Sequence, residues 1–145
     1  MAAALSLMAG GGFAADSAQT VLDRHVKTIK AADLDGLMAD YADNALLIAP
    51  HGIVPGQTDV SGNDVFSGKA NIRKFFMVLT DKEHNPAVKS MVTRFESRGN
   101  DVTLMHWTQF PGTPQQVKGT DTWVIRGGKI ITQVVAVEAA PAPKK

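Results

Sequence analysis

Between residues 17 and 32, apolar side chains recur at helical spacing (Val21, Leu22, Val26 and Ile29), which predicts an amphipathic first helix. Asp16 and Gln19 stand where an approximate capping box would start it. After a break at Ala32-Asp33, Asp33 is placed to cap a short second helix that turns Leu34, Leu37, Met38 and Tyr41 inward and ends at Asn44. The run 45–49, ALLIA, reads as a short buried strand stopped by Pro50 and the turn His51-Gly52. Gly, Pro, Asp and Ser make 53–63 a loop. Ser67 is placed to cap a third helix, GKANIRKFFMVLT, whose Ile72, Phe75, Phe76 and Leu79 form one apolar stripe closed off by 81–86.

The second half changes period. Four strand-like runs, 87–96, 102–110, 116–126 and 129–137, are separated by turns at Gly99-Asn100, Pro111-Gly112 and Gly127-Gly128. Helices first and a strand meander afterwards predict an α+β domain with helices on one face of a mainly antiparallel sheet. Alternation is read as placing Leu104, His106, Thr108 and Phe110 on one strand face, and Asp121, Trp123 and Ile125 on one face of the next.

Composition narrows the function. With 145 residues, 44% of them hydrophobic and 20% charged, the chain suits one domain with one core. A net charge of +1, with Lys and Arg scattered, leaves no basic stripe for nucleic acid. The absence of cysteine excludes disulfides, thiolate nucleophiles and Cys-based metal sites. Residues 1–15, MAAALSLMAGGGFAA, end in a small-x-small triplet, Gly12-Phe13-Ala14, and read as a signal-peptide core and cleavage site, although no Lys or Arg precedes Asp23. The expected organisation is therefore a signal peptide over 1–15, a domain over 16–138 and a flexible tail over 139–145, in a periplasmic or secreted protein without membrane insertion. The string 62–70, GNDVFSGKA, is mis-spaced for a phosphate loop and has Ala70 where a metal-binding hydroxyl belongs.

The order of elements, together with AADLDGLMADYADNALLIAP, SGKANIRKFF and GTDTWVIRGGKII, resembles the nuclear transport factor two-like (SnoaL-like) superfamily, which includes ketosteroid isomerases. The resemblance spans about 20–137. It implies three N-terminal helices in the concave face of a strongly curved mixed or antiparallel sheet, a cystatin-like cone whose interior is a ligand pocket. It also places the isomerase general base on Ala49, which cannot move a proton, and the two oxyanion donors on His25 and Asp121.

Under this resemblance His25, His106 and Asp121 surround one cavity as candidate catalytic residues, with Trp123, Thr108, Phe110 and Leu104 as candidate substrate contacts. A carboxylate orienting an imidazole is a workable proton-transfer unit near neutral pH, and burial could instead keep Asp121 protonated as a hydrogen-bond donor. Each histidine also has a plain reading as a core residue with a satisfied hydrogen bond. His51 reads as a loop residue near the rim, His84 as a helix-end residue, and Tyr41 and Trp107 as core.

Three functions follow as expectations. The first is a cofactor-free and metal-free isomerase or lyase acting on a small apolar carbonyl or polyketide-type compound. The second is a periplasmic binding or accessory protein without chemistry, and the third a dimerisation module. The face carrying Lys118, Thr120, Thr122, Val124, Thr103, Met105 and Trp107 is the one expected to form a homodimer.

Overall fold

The computed structural model describes residues 14–55, 59–60 and 62–138. Residues 1–13 of the expected signal peptide (1–15) and the tail over 139–145 lie outside the described residues.

Ser17, not Asp16, caps α1 (Ala18–Lys30). Its backbone is extended and its hydroxyl accepts from the Thr20 N–H. Asp16 is held elsewhere, in an ion pair with Arg24 at 2.8 Å. The buried face of α1 is Val21, Leu22, His25 and Ile29, the spacing seen in the sequence, while Lys27 and Lys30 complement the dipole at its C-terminal turn. Asp33 caps α2 (Leu34–Asp40) through the Gly36 N–H at 2.9 Å. That helix stops at Asp40, because β1 (Tyr41–Pro50) begins four residues earlier than the apolar run suggests. A register shift between Tyr41 and Leu46 absorbs the polar Asp43-Asn44 pair, so Tyr41 is buried from a strand rather than from a helix.

The expected loop, 53–63, contains one short strand, β2 (Asp59–Val60), and leads directly into another, β3 (Asn63–Ser67). Phe66 and Asp64 are the buried residues of β3. Ser67 ends this strand and does not cap α3 (Lys69–Leu79), which starts after Gly68 at φ +80° and buries Ile72, Phe75 and Phe76. Then come α4 (Asn85–Ser90), β4 (Val92–Arg98), β5 (Val102–Gln109), β6 (Val117–Arg126) and β7 (Lys129–Val137).

One seven-stranded sheet has the order β2-β3-β1-β7-β6-β5-β4, antiparallel except where β1 runs parallel to β7. Its inner face is covered by the helices. There Leu47, Ala49, Phe66, Trp123, Ile125 and Ile130 meet Val21, Leu22, Leu37, Ile72, Phe75 and Phe76 in one core.

The expectation of three helices in a strongly curved cone needs two corrections. Among the described residues there are four helices, since Pro86 in the first turn of α4 presets a helical φ and supplies no N–H that the helix would need. The sheet, moreover, is not strongly curved. Strong curvature is built with bulges inside strands, yet the β4–β5 and β5–β6 ladders run without a register shift, and the shifts recorded are confined to Tyr41/Leu46 and Val124/Ile125.

A third correction concerns strand phase. Asp121 pairs with Met105 and Thr120 with His106, so the inner face of β5 is Thr103, Met105 and Trp107. Leu104, His106 and Thr108 face outward beside Thr120, Thr122 and Val124. Reading β5 one residue out of phase exchanged its two faces. For the same reason Thr103, Met105 and Trp107 do not belong to the outer surface expected to pair two subunits.

Gly119 stands opposite Trp107, whose indole lies over it. A Cβ there would lie 2.1 Å from Trp107 Cζ2 and 2.5 Å from the Ala136 carbonyl oxygen. The backbone oxygen cannot yield cheaply, so Gly119→Ala must displace the indole. We expect this substitution to cost about 1–3 kcal/mol by overpacking, measured by denaturant unfolding; an unchanged midpoint would show that the indole does not rest on Gly119.

Candidate functional site

Asp121 enters the interior on the inner phase of β6 and is almost fully buried. Its direct neighbours across the ladders, Met105 on β5 and Val135 on β7, are apolar and offer nothing to a carboxylate. The diagonal neighbours do. Trp107 Nε1 donates to Oδ1 at 2.8 Å, and Gln133 Nε2 donates to Oδ2 at 2.8 Å. Positions two residues along a neighbouring strand are within reach of long side chains, and Trp and Gln are long enough. The Tyr41 hydroxyl donates to Gln133 Oε1, which fixes the amide with its NH2 toward Asp121. Burial pushes the Asp121 carboxyl up to about 6, against the two hydrogen bonds that favour its charged form. The same burial, with the nearby Asp121 charge, drives the Tyr41 hydroxyl well above its ordinary value, so it remains a donor.

His25 faces this group from α1. Its ring is 4.7 Å from Trp123, 5.5 Å from Phe76 and 5.9 Å from Tyr41, all edge-on. This aromatic cage pushes the imidazole down to about 3, so it is neutral at any ordinary pH. Its Nδ1 is buried without a hydrogen-bond partner, as is Trp123 Nε1.

His25, Asp121, Gln133, Trp107 and Gln109 share one cavity with the apolar side chains Ile29, Phe75, Phe76, Leu79, Val88, Met91, Met105 and Val135. About 60 Å³ of it is reachable by the centres of water molecules. That is room for a few waters and well under the about 150 Å³ of an apolar cavity that takes up a benzene ring.

Two of the three polar residues expected around one cavity, His25 and Asp121, therefore stand on its wall, and the third does not. His106 lies on the outer face, with Nε2 3.2 Å from Glu96 and Nδ1 3.1 Å from Thr120. Leu104 and Thr108 share that face and cannot contact a ligand in this cavity. Phe110 lies beyond β5 at φ +47°, where alternation has ended, with its N–H donating to Ser90 Oγ at 2.8 Å. Trp123 backs His25 in the core rather than lining the cavity.

The sequence reading missed Gln133 and took Trp107 and Tyr41 for packing alone. A single Gln in the run IITQVVAV was the available signal, since a buried amide in an apolar strand needs polar company. Ala49 is buried on the inner face opposite Asp64, whose buried carboxylate holds His51 Nδ1 at 2.6 Å and the Gly52 N–H at 3.2 Å. His84 pairs with Asp81 at the start of α4, a helix-end role.

A carboxyl group and a neutral imidazole in an apolar cavity between a sheet and its covering helices define a small-molecule pocket in an α+β domain. The comparisons agree on the class. Residues 22–133 match the family described as SnoaL-like domain, and the chain belongs to that family. A protein from Sphaerobacter thermophilus is 13% identical with a TM-score of 0.59, over 86% of this chain and 98% of that one. An NTF-2-like protein of unknown function from Burkholderia xenovorans LB400 is 17% identical with a TM-score of 0.61, over 86% of each chain. TerC, co-crystallised with polyporic acid, is 16% identical with a TM-score of 0.61, over 83% of this chain and 90% of that one. At such identities the likeness shows the fold alone. A comparison with curated protein sequences gives no match.

The two titratable groups of the pocket have opposite effects on stability. Asp121 keeps its proton in the fold up to about 6, while the unfolded chain releases it near 3.9, so between these values stability falls as pH rises. His25 stays neutral in the fold down to about 3, while the unfolded imidazole protonates near 6.5, so there stability falls as pH drops. Each effect is on the order of 3–5 kcal/mol at about 1.4 kcal/mol per pKa unit, and they oppose each other between about pH 4 and 6. Relative to the parent, the melting temperature of Asp121→Asn should climb more steeply with pH in this window, and that of His25→Phe should slope the other way. Profiles parallel to the parent's would show that neither group is held as described.

Proposed function

We propose that this protein binds a small, mainly apolar molecule in the His25–Asp121 cavity. We propose further that Asp121 exchanges a proton with it, as in a cofactor-free isomerase or lyase acting on an apolar carbonyl or polyketide-type compound. The observation that carries this reading is a buried carboxyl group, pushed up to about 6, on the wall of a mainly apolar cavity, where it can give up or take a proton near neutral pH. A neutral imidazole opposite it is suited to polarise a carbonyl oxygen without competing for the proton. The co-crystallised ligand of TerC lends this ligand class indirect support.

The test is exchange of the α-hydrogens of a small ketone such as acetone in D2O, followed by NMR. Parent protein should accelerate the exchange, and Asp121→Asn should lose about 10²–10⁴-fold of the acceleration, the range of general acid–base catalysis, while the ketone still binds. Equal exchange by both proteins would overturn the catalytic part and leave the pocket.

A second reading, a ligand-binding or dimeric accessory protein without chemistry, is favoured by the lack of a second cavity-wall group that can carry charge near neutral pH, since His25 is held neutral. For dimerisation the relevant surface is the outer sheet face, where Leu104, Thr108, Thr120, Thr122, Val124 and Val134 are half-buried around His106 and Glu96. Light scattering at tens of micromolar should then give twice the monomer mass, falling to the monomer in a Val124→Lys variant; a monomeric parent counts against it.

A further inference from the structure

The two side chains that hold Asp121 only donate to it as they stand. The Trp107 indole N–H has no acceptor to offer in exchange, and the Gln133 amide faces the carboxyl with its NH2 group. A carboxylate is well served by this pair, whereas a carboxylic acid needs an acceptor for its proton and finds none in it. Gln133 alone is able to supply one, because a half-turn of its amide brings Oε1 to Asp121 in place of Nε2.

What opposes that half-turn is the Tyr41 hydroxyl. It donates to Gln133 Oε1, and both side chains are buried, Tyr41 completely. With the amide reversed, the phenol oxygen would accept from Nε2, but the phenol proton would lose its acceptor in the interior, where such a loss is costly. The surrounding charges do not replace this contact. Around the network, α1 brings His25, held neutral, and the end of α2 brings Asp40, bound to Arg24 at 2.6 Å. The elements α3, α4, β5 and β7 bring no charged side chain to the cavity wall.

We propose that Tyr41 is a positioning residue for Asp121: by donating to Gln133 it holds that amide as a donor to the carboxyl, and so sets how readily Asp121 gives up its proton. Tyr41 is not on the cavity wall, so it acts through Gln133 and not on a ligand. The inference rests on the reading that Asp121 is the proton-exchanging group, and adds the residue that governs it.

The test is the titration of Asp121 on the full chain, read by NMR from its side-chain carboxyl carbon and assigned with Asp121→Asn. Tyr41→Phe frees the amide to turn, so its Asp121 midpoint should lie about one pH unit above the parent's, a ten-fold gain in proton affinity. The pH profile of acetone exchange should move by the same amount. Gln133→Met removes the donor itself and should raise the midpoint at least as far, and adding Tyr41→Phe to it should move the midpoint no further. In case Tyr41→Phe does not fold, the parent gives a second measurement, because Tyr41 is the one tyrosine of the chain. The ring carbon that bears its hydroxyl should shift with the midpoint of Asp121, and Gln133→Met should abolish that response. An unchanged midpoint in Tyr41→Phe, a further rise in the double variant, or a tyrosine signal that still follows Asp121 in Gln133→Met overturns the proposal and leaves the proton-exchange reading intact. A parent that does not accelerate acetone exchange overturns that reading instead, and the carboxyl midpoints still decide whether Tyr41 governs Asp121.

Discussion

A carboxylate carried into an apolar interior must find hydrogen-bond donors or give up its charge, and the inner face of this sheet is arranged around that requirement. The phase of β6 commits Asp121 to the interior as firmly as it commits Trp123 and Ile125. Once there, it draws on donors from two flanking strands, and each donor makes a demand of its own. Trp107 can lie flat toward Asp121 only because the residue opposite it is Gly119. Gln133 presents its NH2 group only because Tyr41 occupies its oxygen, and Tyr41 reaches that oxygen only because β1 starts directly after α2. Four strands are thereby tied by side chains as well as by their ladders, and the cost of losing any member falls on the carboxyl group at the centre.

This explains which parts of the molecule were legible in the sequence. In β6 the inner set Gly119, Asp121, Trp123, Ile125 alternates with an outer set rich in Thr, so its period was clear even though the purpose of the Asp was not. In β5 both sets are mixed. Leu104, His106 and Thr108 are as plausible an inner face as Thr103, Met105 and Trp107, and only pairing with β6 decides between them. His106 left the site for that reason alone. Helix α4 was hidden by Pro86, which reads as a breaker in a strand-like context but opens a helix when it falls in the first turn. Strands β2 and β3 were hidden because Gly, Asp and Ser dominate a segment whose apolar signal is Val65 and Phe66. The helical stripes of α1 and α3 were plain because each buries a repeating set of large side chains, which no local turn chemistry can imitate.

The chemistry available to the pocket follows from how unequally its two titratable groups are treated. Both are buried, and burial acts against the charged form of each, so it raises the carboxyl and lowers the imidazole. Asp121 has donors that restore part of the cost, and its titration stays within reach of physiological pH. His25 has only ring edges around it, and its titration is pushed out of reach. An acid–base pair shuttling a proton between two side chains is thus not what this site offers. It offers one proton-exchanging group, with a neutral polar atom opposite.

That neutral atom is also where the fold is left incomplete. His25 Nδ1 and Trp123 Nε1 are buried without partners although their rings are 4.7 Å apart. An orphaned buried polar atom costs about 1–3 kcal/mol, and a leucine or phenylalanine at position 25 would fill the same aromatic cage without that cost. Neither orphaned atom has accessible surface in the cavity, so the fold carries this cost whether or not a ligand is bound. His106 is the opposite case: its ring is satisfied on both sides, by Glu96 and Thr120, and it carries no such cost.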